Sequence, residues 1–210
     1  VEHDALVIAD EVYERLTFAG APAHASIASL PGMAERTVTL SSLGKTFSAT
    51  GWKIGWAIAC PALTAGVRAA HQFLTYASNT PSQHGAAEAL SGDAGAAYVE
   101  ELVGIYQERR GFLCAALADV GFGLSEPEGT YFVMADHTAI SERLGILGDD
   151  GLPDDFAFCR WLIERAGVAT IPPSVFYEHK AEGRKLIRFA FCKERATLEA
   201  AVGRMREALG

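Results

Sequence analysis

Runs of apolar residues of two lengths alternate along the first half of the chain. Ala5-Leu6-Val7-Ile8-Ala9 is a short continuous run that ends in Asp10-Glu11, the pattern of a buried parallel strand. Thr37-Val38-Thr39-Leu40 is a β-branched run and the next predicted strand, and residues 54–59 form a third. Gly55 within that third strand marks a close backbone approach. Residues 22–33 between the first two strands predict a short helical or irregular crossover. Residues 41–53 are rich in Ser, Gly and Thr and predict a loop. Pro61 suits the first turn of a helix that runs to about Tyr76. Strand, crossover and strand together predict a parallel sheet covered on both faces.

The pattern then lengthens. Pro81 opens a helix to about Leu90, and a longer one is predicted over 94–120, where Leu102, Ile105, Tyr106, Leu113, Leu117 and Val120 recur near a 3.6-residue period. Strands are predicted at 122–125, 130–135, 168–171 and 186–191. One helix follows Pro153 and carries Phe156, Cys159, Leu162, Ile163 and Ala166. A last helix carries Leu198, Ala201, Val202, Met205 and Leu209. Strict alternation is gone, so this half reads as α+β. The predicted organisation is α/β over 1–108 and a smaller α+β domain over 109–210.

Composition narrows the classes. The 210 residues are 50% hydrophobic and 21% charged, with a net charge of −8, which disfavours disorder and non-specific binding to nucleic acid or anionic lipid. Apolar stretches are broken well before the roughly 20 residues of a membrane span. The widely spaced Cys60, Cys114, Cys159 and Cys192 read as ordinary thiols of a cytoplasmic protein. Val1-Glu2-His3-Asp4 lacks the features of a signal peptide. Because it opens almost directly into a strand, the chain is expected to be the C-terminal part of something longer.

Four stretches carry candidate chemistry. Asp10 stands just past the end of a predicted parallel strand, where α/β sheets bind ligands; a helix cap or salt-bridged turn is the alternative. Ser41-Ser42-Leu43-Gly44-Lys45-Thr46 contains Gly-Lys-Thr, but a phosphate loop needs glycine six residues before the lysine, and Thr39 is there. Lys45 is instead a candidate amine nucleophile or a solvated loop lysine. Lys53 lies between Trp52 and Trp56 and could supply charge to an anion or sit at a strand edge. Arg188 interrupts an apolar strand, so it needs a partner, either a protein carboxylate or a substrate carboxylate held by two hydrogen bonds. The six histidines have no metal-ligand spacing, and Asp149-Asp150-Gly151 with Asp154-Asp155 lacks the alternating ligands of a calcium loop.

Five segments in order, Ala9–Tyr13 (ADEVY), Ser41–Trp56 (SSLGKTFSATGWKIGW), Glu128–Phe132 (EGTYF), Ile171–Tyr177 (IPPSVFY) and Ile187–Lys193 (IRFAFCK), resemble the C-terminal half of fold-type I pyridoxal-phosphate (PLP) aminotransferases of class I/II. The resemblance covers residues 5–209. Within the family it is strongest to the methionine, glutamine and kynurenine subgroup, with N-succinyl-diaminopimelate aminotransferases close behind. It implies the C-terminal part of a PLP-binding large domain, mainly parallel sheet with flanking helices, and a small C-terminal domain. It also implies that Lys45 is the Schiff-base lysine and proton carrier, that Asp10 pairs with the pyridine nitrogen, and that Tyr13 bonds the cofactor's phenolate oxygen. Ser42 and Lys53 would hold the phosphate, and Arg188 the substrate α-carboxylate. No metal is implied.

Two positions depart from the common pattern. Lys53 stands where many members have arginine, which loses the planar fork, and Pro173 stands where relatives often have glycine or a small apolar residue. Residues 71–84 contain no Arg or Lys, which favours neutral, sulfur-containing or aromatic amino acids over dicarboxylic ones. Competing activities are a PLP-dependent C–S β-lyase and a non-catalytic PLP-binding regulator domain. The resemblance further implies a cytoplasmic homodimer with amino-acid and 2-oxo-acid substrates and no nucleic-acid or membrane partner. The 210 residues alone are expected to lack normal transaminase activity.

Overall fold

The computed structural model describes residues 3–210, which fall into two compact units that divide between Val103 and Gly104. The first unit holds strands β1 (Val7–Asp10), β2 (Thr37–Ser42) and β3 (Gly55–Ile58) in that spatial order. β1 and β2 pair in parallel, Val7 opposite Thr37 and Asp10 opposite Leu40. β3 corrects the expectation of a parallel sheet: it runs antiparallel to β2, with Ser42 opposite Gly55. The twelve residues between them fold as a short helical turn, α1 (Leu43–Thr46), and a 3-10 turn at Thr50–Trp52. This compact link returns the chain at the end of the sheet where it left, so no crossover forms. Gly55 is needed at that return, because a Cβ there would lie 2.9 Å from the Ser41 carbonyl oxygen.

The sheet is also not covered on both faces among the described residues. Alternate β2 positions Thr37, Thr39 and Ser41 are buried, yet Leu6, Ile8 and Ile58 are open to solvent. Two helices follow, α2 (Pro61–Leu74), with Pro61 in its first turn, and α3 (Thr80–Ser91), whose first amides are capped by Asn79, which accepts from Ser82 N–H at 3.0 Å. A small apolar cluster of Leu43, Ile54 and Ala86, flanked by Phe47 and Trp56, fastens α1 and the start of β3 to α3.

The long helix α4 (Asp93–Asp119) contains the division between the units. The second unit is a three-stranded antiparallel sheet of β4 (Gly123–Leu124), β5 (Phe132–Asp136) and β6 (Leu186–Ala190). Its helices are the C-terminal part of α4, α5 (Thr138–Leu144), α6 (Asp155–Ala166), α7 (Lys180–Gly183) and α8 (Arg195–Leu209). Phe158, Phe191, Leu117, Leu162, Ile187 and Met205 are almost fully buried. Phe122 meets Phe158 and Phe189 edge-on at centroid distances of 5.9 and 5.4 Å. The strand expected at 168–171 does not form. Only Ile171 pairs, as a single bridge to Arg188, because Pro172 and Pro173 have no N–H to continue a ladder. No helix among the described residues is long and apolar enough to cross a membrane.

Candidate functional site

β1 and β2 end side by side, and a cavity of about 460 Å³ opens at those ends. Asp10, Ser42, Lys45 and Lys53 all line it. The pleat explains the first of these. Successive side chains alternate across a strand, so Ala9 and Glu11 turn inward while Asp10 faces solvent and the cavity. The Asp10 carboxylate accepts the Val12 N–H at 3.3 Å through one of its oxygens.

Lys45 sits in α1, directly after β2. Ser42 caps this turn, its Oγ accepting from Gly44 N–H at 3.2 Å, so its hydroxyl proton is available to a ligand oxygen. Thr50 Oγ donates to the Gly44 carbonyl at 2.9 Å and braces the same turn from the following segment. The Lys45 Nζ lies 6.0 Å from the centroid of the Tyr13 ring, which brings Tyr13 to the same group. Lys53 ends the 3-10 turn in the left-handed region, φ 55° and ψ 38°. A lysine there is strained, and such outliers persist where the surroundings over-determine the position.

Sequence reasoning missed the layer behind Asp10. Glu11 is buried and collects three hydrogen bonds: His24 Nε2 at 2.9 Å, Ser26 Oγ at 3.0 Å and Ile27 N–H at 3.1 Å. Burial pushes its carboxyl up, but the bonds from His24, Ser26 and Ile27 outweigh that and hold it below the ordinary glutamate value. Ser41 Oγ donates to Glu14 at 2.9 Å. The alternation that exposes Asp10 was the available signal that Glu11 is inward; its partners, 13 to 16 residues away, gave none.

Arg188 belongs to the second unit, on the central part of β6, where it stands opposite Met134 of β5. The alternative of a protein carboxylate partner is not met: among the described residues no carboxylate forms an ion pair with it. Its guanidinium carbon lies instead 4.9 Å from the Phe132 ring centroid and 5.9 Å from that of Phe176.

A carboxylate, a hydroxyl, an amine and a second cation around one cavity form a donor set that suits an anionic aromatic aldehyde such as PLP: charge for a phosphate, an acceptor for a ring N–H and a nucleophile for the carbonyl. A family model described as aminotransferase class I and II matches residues 1–205. Kynurenine–oxoglutarate transaminase of Dictyostelium discoideum is 40% identical over 207 residues, covering 93% of this chain and 46% of that protein. Methionine aminotransferase of Escherichia coli (strain K12) is 38% identical over 205 residues, covering 98% of this chain and 50% of that one. The solved structure of N-succinyldiaminopimelate aminotransferase from Mycobacterium tuberculosis superposes with a TM-score of 0.88 at 42% identity, covering all of this chain and 51% of its own. The chain spans about half the length of the curated relatives it matches. With the family model running over nearly every residue, the chain belongs to the class I and II aminotransferases.

Proposed function

We propose that this chain is part of a PLP-dependent aminotransferase that moves an amino group between a neutral, sulfur-containing or aromatic amino acid and a 2-oxo acid. The observation that carries the reading is the convergence of Asp10, Ser42, Lys45 and Lys53 on one cavity at the strand ends. When bound, PLP supplies an electrophilic aldehyde and a ring that stabilises negative charge at the substrate α-carbon. Lys45 Nζ binds that aldehyde at rest and carries the α-proton when substrate is present. Asp10 holds a proton on the pyridine nitrogen. Ser42 donates its hydroxyl, and Lys53 its charge, to the phosphate. Tyr13 orients the cofactor through its phenol, and Arg188 holds the substrate α-carboxylate.

The absence of Arg and Lys from 71–84 supports the neutral substrate class, as do the kynurenine and methionine activities in the names of two relatives. A cytoplasmic homodimer completes the reading. The test is to mix the chain with one equivalent of PLP, reduce with borohydride and map the label by mass spectrometry. Label on Lys45, lost in Lys45→Ala, is expected. Label spread over Lys180, Lys185 and Lys193 would refute the site. The 210 residues by themselves are expected to take the label without turning over amino acids at a rate typical of the family. Pyruvate and ammonia released from a cysteine conjugate without an oxo-acid acceptor would favour the β-lyase instead.

A further inference from the structure

Asp155 is fully buried, although it opens a helix at which a carboxylate could remain in water. It does not serve as the cap of α6; Asp154 does, accepting from Ala157 N–H at 2.8 Å. Asp155 turns inward. One of its oxygens accepts its neighbour's amide, Phe156 N–H, at 3.1 Å, and the other accepts Ser174 N–H at 2.7 Å, across 19 residues of sequence. The second bond is short and charge-assisted, in a place where an unmatched carboxylate is costly.

Ser174 lies in the 3-10 turn Pro173–Phe176, and the segment 171–176 that contains it touches Arg188 twice. Just before the turn, Ile171 exchanges both backbone hydrogen bonds with Arg188, at 3.2 and 3.0 Å. At its end, Phe176 presents its ring to the guanidinium at 5.9 Å, Phe132 being the other ring within cation–π range. Phe176 is 70% exposed, so little packing of its own fixes it. The turn is held elsewhere. Gly183 of α7 comes so close that a Cβ would lie 2.6 Å from Ser174 Cα, and Asp155 grips the Ser174 amide. The segment is therefore pinned at Ser174, while Ile171 before it holds the main chain of Arg188 and the Phe176 ring after it faces the guanidinium.

We infer that Asp155 is a positioning residue for Arg188: through the Ser174 amide it fixes the 171–176 segment and so the orientation in which the guanidinium meets a carboxylate ligand. This rests on the reading of Arg188 as the carboxylate site. The ligand it serves is a monocarboxylate whose apolar part can lie on the exposed Phe176 ring, 5.9 Å from the guanidinium carbon.

The test uses the 210-residue chain and 3-phenylpropanoate, which has the carboxylate and apolar tail but no amine to react. Binding is read from the Arg188 side-chain ¹⁵N resonance, assigned with Arg188→Lys, and turn order from hydrogen exchange at the Ser174 amide. Asp155→Ala should weaken binding about tenfold and accelerate Ser174 exchange, with Lys45 labelling by PLP unchanged. Asp155→Asn keeps an acceptor without the charge and should fall between Ala and wild type. A folded Asp155→Ala that binds like wild type overturns the inference. Should that variant not fold, Asp155→Asn decides: unchanged Ser174 exchange, or faster exchange with unchanged affinity, overturns it, and faster exchange with weaker binding supports it. If Arg188→Ala leaves 3-phenylpropanoate binding intact, the carboxylate-site reading itself falls, whatever the Asp155 variants do.

Discussion

The two units bury apolar and polar side chains in different proportions. In residues up to 103 Glu11, Thr37, Thr39 and Ser41 are buried beside a small apolar set that includes Leu16, Phe18, Leu43 and Ile54, and apolar Leu6, Ile8 and Ile58 stay open. From 104 onward the interior is dominated by Phe122, Phe158, Phe189 and Phe191 with aliphatic neighbours, and the buried polar groups His137, Ser141, Asp155 and Ser174 are a minority within it. Each follows from what the unit presents. A cavity that must take a polar ligand needs hydrogen-bonding walls and unfilled space, so it cannot be close-packed. A lone arginine on a strand needs only a firm backbone, and a jigsaw of rings provides one.

Phe158→Ala gives the sharpest way to break that comparison. The ring is fully buried, edge-on to Phe122 and 4.5 Å from His137 by centroid. Its loss should cost the second unit about 3–5 kcal/mol in urea denaturation followed by Trp161 fluorescence. Labelling of Lys45 by PLP should persist in the folded protein; loss of both together would mean that the units do not behave separately.

Glu11→Ala probes the polar layer of the first unit. It leaves His24, Ser26 Oγ and Ile27 N–H without their acceptor and should cost about 1–3 kcal/mol, read from Trp52 and Trp56 in a Trp161→Phe background. No cost would show that buried polar bonds are not what holds that side.

A smaller, pH-dependent effect belongs to His137. Burial pushes its imidazole below the ordinary value of 6.5, against the raising influence of the Arg184 carbonyl and of Asp136, Asp155 and Asp154. The Ser141 hydroxyl, 2.7 Å from Nδ1, and the Phe158 ring also face it. The unfolded chain takes up this proton first as pH falls. Stability from this group is therefore whole above 6.5 and is lost as pH drops toward the folded value. Denaturation midpoints between pH 7.5 and 5 should decline in wild type and less steeply in His137→Gln. An equal slope in both would remove His137 from the account.

Smallest of all should be Arg195→Ala. Its ion pairs with Glu108 and Glu199, at 3.0 and 2.8 Å, join exposed groups and should be worth no more than about 1 kcal/mol.

The sequence by itself determined what depends on near neighbours. The apolar periods located all three strands of the first unit and the long helix to within a few residues, and Pro61 and Pro81 marked two helix starts. Gly55 was legible as a close approach because only the backbone demands it. Lys45 in a turn directly after a strand was legible for the same reason. Helix α5 at Thr138–Leu144 was not, since seven residues are too few to establish a period.

Tertiary structure decided what depends on distant partners. Nothing within residues 37–58 states that β3 returns antiparallel, because strand direction follows from how the link packs. Residues 168–171 have the composition of a strand, yet the two prolines after them leave no donors to pair, so one bridge at Ile171 replaces it. Glu11 and Asp155 look like solvated acids in sequence and are buried in the fold. A carboxylate can leave water only where donors from elsewhere replace its hydration, and those donors, on Ser26, Ile27 and Ser174, come within reach only when the chain is folded.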